Sequence, residues 1–152
     1  MNKIIREFEI IRDIPYSIPL SLTEKDECCS GKHKMLKSIL EKEGFIARYR
    51  ICSFLWSSMT LPEKVVSIPH MNESSHLYLE VLMDDNWITV DATWDSSIYK
   101  NFVISTWDGK SSTNIAVEAI EIFSPEKSAD LMENESNDQV LDDLKMNGDF
   151  YK

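Results

Sequence analysis

The spacing of apolar residues predicts two helices in the first third of the chain. Apolar side chains recur at helical spacing from residue 4 until Pro15 and Pro19 stop the pattern. A second apolar stripe runs through about residues 28 to 43, and Gly44 stands where helices commonly end in a left-handed glycine. The stripes consist of Ile4, Ile5, Phe8 and Ile11 in the first helix and of Met35, Leu36, Ile39 and Leu40 in the second. We therefore expect both helices to bury one face in a core.

Runs of alternating, β-branched and aromatic residues predict a mostly antiparallel sheet after these helices. The predicted strands cover residues 46 to 55, 75 to 83, 87 to 93 and 114 to 123. The second and third form a β-hairpin around Asp84-Asp85-Asn86, and Asp108-Gly109 marks a turn before the fourth. Helices followed by an antiparallel sheet predict the α+β class.

The hairpin register follows from which residues must face the core. Apolar residues at 77, 79 and 81 share one face of the first strand, and those at 88, 90 and 92 share one face of the second. Val81 opposite Ile88, with a two-residue turn, or Val81 opposite Val90 would satisfy both sets. Either register places His76 and Asp91 together on the other face, and in the tighter register the two are diagonal neighbours.

The charge of the chain limits its partners. Its 152 residues, 43% of them hydrophobic, suit one domain, and 16 Lys and Arg against 26 Asp and Glu give a net charge of -10. This sign disfavours nucleic acids and anionic membranes, both of which bind clustered basic residues. It fits a protein or peptide substrate that is cationic.

The acidic residues are concentrated at the carboxyl end. Residues 125–152 carry eight acids and three bases, and Ser124-Pro125 is typical of a helix start. Val140, Leu141 and Leu144 could line a final helix ending near Gly148. We expect residues 1–124 to form one domain and residues 125–152 to form an acidic helical tail packed on it. A binding tail is the alternative.

Three cysteines, an odd number, do not form a disulfide framework and predict free thiols in a reducing compartment. The amino-terminal residues lack the apolar run of a secretory signal, and no segment has the length of a membrane span. The predicted location is therefore cytoplasmic.

Two adjacent cysteines, Cys28 and Cys29, stand at the predicted start of the second helix. A thiol there meets the positive end of the helix dipole and unpaired backbone N–H groups, which can lower its pKa from about 8.5 to roughly 3.5–7.5. Such a thiol can act as a nucleophile, with His76 as its base and Asp91 to orient the imidazole. The alternative is that both cysteines only fill core space.

Three segments resemble motifs of the transglutaminase-like superfamily. Residues 29–33 (CSGKH) and the apolar stripe after them resemble its cysteine helix, and residues 76–81 and 87–93 resemble its histidine and aspartate strands. The likeness spans about residues 27 to 95, and the run Trp-x-x-Val-Asp-Ala-Thr is its most specific part. The family usually has Gly two residues before its cysteine, where this chain has Glu27.

The resemblance implies that residues 1–124 form a transglutaminase-like domain. It also implies a papain-like α+β core in which a helix-borne Cys29 faces His76 and Asp91 on the sheet. It implies acyl transfer through a thioester: peptide or isopeptide hydrolysis, deamidation or amine transfer. The Cys29 backbone N–H and Tyr16 are candidate oxyanion donors. A domain of the same fold that serves as an interaction module is the alternative.

No cofactor is predicted. Cys29, His33, His70 and His76 could be imagined around zinc, but no CxxC or HExxH spacing supports a metal site. Acetyl transfer from coenzyme A would need a phosphate-binding glycine or basic loop, which the sequence lacks.

Overall fold

The computed structural model describes residues 2–21, 24, 26–59, 61, 63–69, 71–95, 102 and 104–133. The helices are α1 (Asn2–Arg12), α2 (Cys29–Lys42), α3 (Glu63–Val66) and α4 (Pro125–Glu133), with a 3-10 turn at Trp56–Ser58. The strands are β1 (Ala47–Leu55), β2 (Glu73–Met83), β3 (Asn86–Val90) and β4 (Glu121–Ile122). They form an antiparallel sheet in the order β3-β2-β1-β4, which confirms the α+β class.

The two predicted amino-terminal helices form as the apolar spacing indicates. Helix α1 ends at Arg12, before the two prolines, and α2 ends at Lys42. Gly44 then takes φ +90, and its N–H donates to the Glu41 carbonyl, so it is the glycine that terminates the helix.

The hairpin adopts the tighter of the two predicted registers. Val81 lies opposite Ile88, and the two-residue turn consists of Asp84 and Asp85, with φ 47 and 66. Positive φ at both turn positions matches the right-handed twist of the flanking strands, which favours this register over a longer loop. Strand β3 ends at Val90, three residues earlier than predicted, so Asp91 lies just beyond it.

Apolar clusters lie on both faces of the sheet. On one face, α1 and α2 pack their stripes against Leu79 and Val81 of β2 and Val90 of β3. On the other face, Cys52 and Tyr78 pack with side chains from the loops after β3. Because side chains alternate along a strand, His76 lies on this second face, away from the packed stripe of α2.

The predicted strand at residues 114–123 is mostly wrong. Only Glu121–Ile122 pairs as a strand, with Cys52 and Ser53 of β1. The preceding residues cross from β3 to β1 instead: Thr113 donates its N–H to the Thr89 carbonyl, and Ile120 donates to the Ser53 carbonyl. A segment that bridges two strands in this way cannot run alongside either of them.

The described part of the acidic tail is α4. Ser124 caps it, with its hydroxyl accepting the Lys127 N–H at 3.1 Å, as predicted. The buried Ser128 hydroxyl accepts the Ile51 N–H of β1 at 2.9 Å, so this helix is attached to the sheet. The predicted final helix ending near Gly148 lies outside the described residues. Within the ranges given above, none of the helices has the length and apolar character needed to cross a bilayer.

Candidate active site

His76 and Asp91 form a buried pair. The Nε2 atom of His76 lies 2.7 Å from Oδ2 of Asp91, and both side chains are almost fully excluded from solvent. A carboxylate only accepts hydrogen bonds, so Nε2 carries the proton and Nδ1 is left as the acceptor nitrogen. The geometry agrees with the shared face that the hairpin register predicts.

The carboxylate of Asp91 is held in place by further donors. Oδ2 also accepts the Ala116 N–H at 2.8 Å, and Oδ1 accepts the N–H and hydroxyl of Thr93. Burial alone would raise the pKa of Asp91, but attraction to His76 and these hydrogen bonds lower it to about 2. Asp91 is therefore ionised at neutral pH and fixed in orientation.

Cys29 is the first residue of α2, and its sulfur lies against β2. The backbone N–H of Leu77, the residue after His76, acts to lower the pKa of this thiol, which places the sulfur near that residue of the strand. Among the described residues, no hydrogen bond joins the Cys29 thiol to the His76 imidazole. The structure thus pairs His76 with Asp91 directly and places Cys29 one residue along the strand from that pair.

His33, one turn after Cys29 on α2, is fully buried between the helix and the end of β3. Its Nδ1 lies 2.7 Å from the Cys29 carbonyl oxygen, and its Nε2 accepts the Ala92 N–H at 3.0 Å. Burial lowers the pKa of His33 to about 4, so the ring is neutral at neutral pH. From the sequence, His33 is predicted only as part of the CSGKH motif and as an unsupported zinc ligand, although its spacing of four from Cys29 puts both residues on one helix face.

Asp26 organises the start of α2 and was missed by sequence reasoning. Its Oδ1 accepts the N–H of Cys28 at 3.1 Å and the Cys28 thiol at 2.8 Å, and its Oδ2 accepts the Ser30 hydroxyl at 2.6 Å. The only sequence signal was an Asp shortly before a predicted helix start.

The two adjacent thiols titrate as a pair. A hydrogen bond from Cys29 lowers the pKa of Cys28, against burial and the Asp26 carboxylate. The same pairing, together with burial, raises the pKa of Cys29 well above its ordinary value, while the Leu77 N–H acts to lower it. The pair therefore releases its first proton readily and its second with difficulty.

Lys32 connects α2 to two neighbouring segments. It is fully buried, and its Nζ donates to the carbonyls of Arg12 at 2.9 Å and Thr93 at 2.7 Å. Burial lowers the pKa of Lys32 to about 8. These bonds tie the cysteine helix to the end of α1 and to the segment that follows Asp91.

The other residues singled out by sequence take less central places. Tyr16 packs on Trp94, with ring centroids 4.9 Å apart, and its role as an oxyanion donor stays a prediction. Cys52 is fully buried opposite His76 on β1, as expected of a core residue. Trp107 is buried in the apolar cluster that α1 and α2 form with the sheet, and His70 lies outside the described residues.

In the described part of the chain, no group of three or more His, Cys, Asp or Glu side chains could hold a metal ion. The candidate site is therefore built from a thiol pair, a histidine–aspartate pair and the buried side chains that join them. No family model matches the chain, and no curated protein or solved structure matches it significantly.

Proposed function

We propose that the protein is a thiol-dependent acyl-transfer enzyme with Cys29 as nucleophile, His76 as base and Asp91 as the acid that orients the base. The observation that carries this proposal is the 2.7 Å bond between Nε2 of His76 and Oδ2 of Asp91. It fixes the tautomer whose free Nδ1 can accept a thiol proton. The Cys29 sulfur lies at the next residue of the same strand.

Cys29 is a better nucleophile candidate than Cys28 on geometry. Cys28 points to the loop before α2, where its thiol contacts Asp26 and Ser30. Cys29 instead points to β2, and its charge state responds to Asp91. The thiol has to turn from Cys28 towards His76 for proton transfer.

The reaction then follows the order of events common to thiol enzymes. The Cys29 thiol gives its proton to Nδ1 of His76, and the sulfur attacks the carbonyl carbon of an amide or ester. The Cys29 backbone N–H at the helix start, with Tyr16 as the second candidate, stabilises the oxyanion. His76 returns the proton to the leaving amine or alcohol, and water or a second amine resolves the thioester.

The proposal includes a papain-like core of the transglutaminase-like type. Support comes from the sequence motifs and from the arrangement of a helix-borne cysteine beside a sheet-borne histidine and aspartate. Hydrolysis of a peptide or isopeptide bond, deamidation and amine transfer all use the steps above. A cationic peptide is the substrate class that the net charge of -10 favours, and free thiols favour a cytoplasmic location.

Alkylation by iodoacetamide across pH, followed by peptide mapping, tests the assignment. The pairing with Cys28 that raises the pKa of Cys29 is lost once this thiol turns to His76. We therefore expect Cys29 to label with an apparent pKa below about 7.5 and His76→Ala to abolish that reactivity. Cys28→Ser should keep it, because serine retains a hydrogen-bonding hydroxyl, whereas Cys29→Ser should remove it. Labelling of both cysteines as ordinary thiols, near pKa 8.5, would contradict the proposal.

Such a negative result would favour the second candidate, an interaction module of the same fold. Two observations support that alternative: the hydrogen bond with Cys28 and burial raise the pKa of Cys29, and the Asp26 carboxylate lies 2.8 Å from the neighbouring Cys28 thiol. Its contact surface would be the acidic tail or the loops that carry Trp56, Trp94 and Trp107.

A further inference from the structure

The hairpin ladder between β2 and β3 stops at the candidate site. The pairs Val81–Ile88 and Leu79–Val90 belong to the ladder, and the next pair of the same kind would be Leu77 with Ala92. In an antiparallel hairpin closed by a two-residue turn, this pair would exchange backbone hydrogen bonds. The Ala92 N–H donates instead to Nε2 of His33 on α2 at 3.0 Å. The Leu77 N–H acts on the Cys29 thiol of the same helix, whose pKa it lowers.

We propose that His33 is a positioning residue that keeps β2 and the segment after β3 apart, so that Cys29 can occupy the opening. This inference rests on the proposed function. His33 takes the ladder donor of Ala92, and the opening that results exposes the Leu77 N–H to the Cys29 sulfur.

The ring of His33 can accept the Ala92 N–H in only one protonation state. Its Nδ1 faces the Cys29 carbonyl, so Nδ1 carries the proton, and Nε2 must be unprotonated to accept the Ala92 N–H. Both ring nitrogens are thus used to connect the cysteine residue itself to the residue after Asp91. An imidazolium would direct an N–H at the Ala92 N–H and break this connection.

The groups around His33 oppose one another. Burial, His76 and Lys32 favour the neutral ring, whereas Asp91, whose Oδ1 lies 3.7 Å from Nε2, favours the charged one. The His33 and His76 rings lie 6.5 Å apart edge to face, so His33 does not take the place of His76 on the carboxylate oxygen Oδ2.

Replacing His33 by leucine or by glutamine separates positioning from mere burial. Leucine removes the acceptor for Ala92, which allows the ladder to close and displaces Cys29. We expect His33→Leu to slow Cys29 alkylation at pH 7 by about tenfold or more and to move its pH profile towards that of an ordinary thiol. Glutamine can place an oxygen near the position of Nε2, so His33→Gln should keep the wild-type profile. Leu40→Val, which loosens α2 elsewhere, is the control for stability.

If Cys29 alkylation in His33→Leu kept the rate and the pH profile of the wild type, the inference would be overturned. If wild-type Cys29 is itself unreactive and indifferent to His76, the proposed function fails instead. The ¹⁵N chemical shifts of the His33 ring in the wild-type protein give a readout that needs neither variant to fold. We expect a neutral ring protonated at Nδ1 down to pH 5, and a ring protonated at Nε2 or titrating near pH 6.5 would refute the placement.

Discussion

Gly31 lies in the first turn of α2, directly under the loop that carries Asp26. A Cβ at Gly31 would lie 1.9 Å from the Asp26 carbonyl oxygen, so alanine requires the loop to move. Such a move would break the contacts of Asp26 with Cys28 and Ser30. We expect Gly31→Ala to lower the free energy of unfolding by about 2–3 kcal/mol and to reduce thiol alkylation.

Gly44 is the matched control for that substitution. Nothing lies within 4 Å of a Cβ added there, but its φ of +90 strains an alanine. Gly44→Ala should cost about 1–2 kcal/mol in urea unfolding while thiol alkylation stays as in the wild type. Equal losses of alkylation in both variants would mean that stability, not the Asp26 loop, controls the thiols.

Asp91 fixes the orientation of His76 in the buried His76–Asp91 pair. An asparagine cannot accept all four hydrogen bonds of the carboxylate, because one of its two polar atoms is a donor. We expect Asp91→Asn to lower the free energy of unfolding by about 3 kcal/mol and to slow Cys29 alkylation. The free energy of unfolding is measured by urea titration. The control Asp108→Asn, in an exposed turn, should lower it far less.

The sequence identifies residues whose signal is local. Cys29, His76 and Asp91 stand at a helix start and on one hairpin face, positions that short patterns reveal. The contacts of Asp26 and His33 could not be predicted in this way. His33, for example, meets Ala92, 59 residues away, only after α2 packs on the sheet.

The elements were predictable where pattern and turn chemistry agree. The hairpin register follows from two apolar faces and a turn that tolerates positive φ. Residues 114–120 carry a similar alternation, with Ile115, Val117 and Ala119 packed in the apolar cluster on the face of the sheet opposite α1 and α2. Their backbone is not in a ladder, since the Ala116 N–H donates to the Asp91 side chain. Alternation therefore predicted which side chains are inside, but not that the backbone pairs with another strand.

Helix α4 completes the hydrogen bonding of β1. Removing the Ser128 hydroxyl leaves the Ile51 N–H without its acceptor in a buried position. Ser128→Ala should therefore cost about 1–3 kcal/mol, and amide hydrogen exchange of Ile51 should accelerate. Ser124→Ala removes only the cap of the same helix and should cost about 1 kcal/mol without affecting Ile51 selectively. Unchanged exchange at Ile51 in Ser128→Ala would show that α4 is not needed there.

For the whole molecule, the loss of folding stability at acid pH should begin with the protonation of His33. Its pKa is about 4 in the folded chain against an ordinary 6.5, so between these values the unfolded chain binds a proton that the folded chain refuses. Stability therefore falls as pH drops from 6.5 to 4, by roughly 3 kcal/mol from this residue. Asp91, with a folded pKa of about 2 against 3.8, continues the loss below pH 4.

The loss of folding stability at alkaline pH has the opposite origin: Cys52 and Tyr78 keep protons in the folded chain that the unfolded chain releases. Burial raises the pKa of each to about 12, from 9.0 and 10.0, so stability falls as pH rises above 9. Lys32 opposes this loss only between pH 8 and 10.5, where the unfolded chain still holds its proton.

Urea unfolding from pH 3 to 11 should thus show a free energy of unfolding that declines on both sides of a neutral plateau. Cys52→Ala should approach wild-type stability as pH rises, and His33→Gln should approach it as pH falls. If the free energy of unfolding of each variant followed the same pH dependence as that of the wild type, neither residue would titrate as its burial requires.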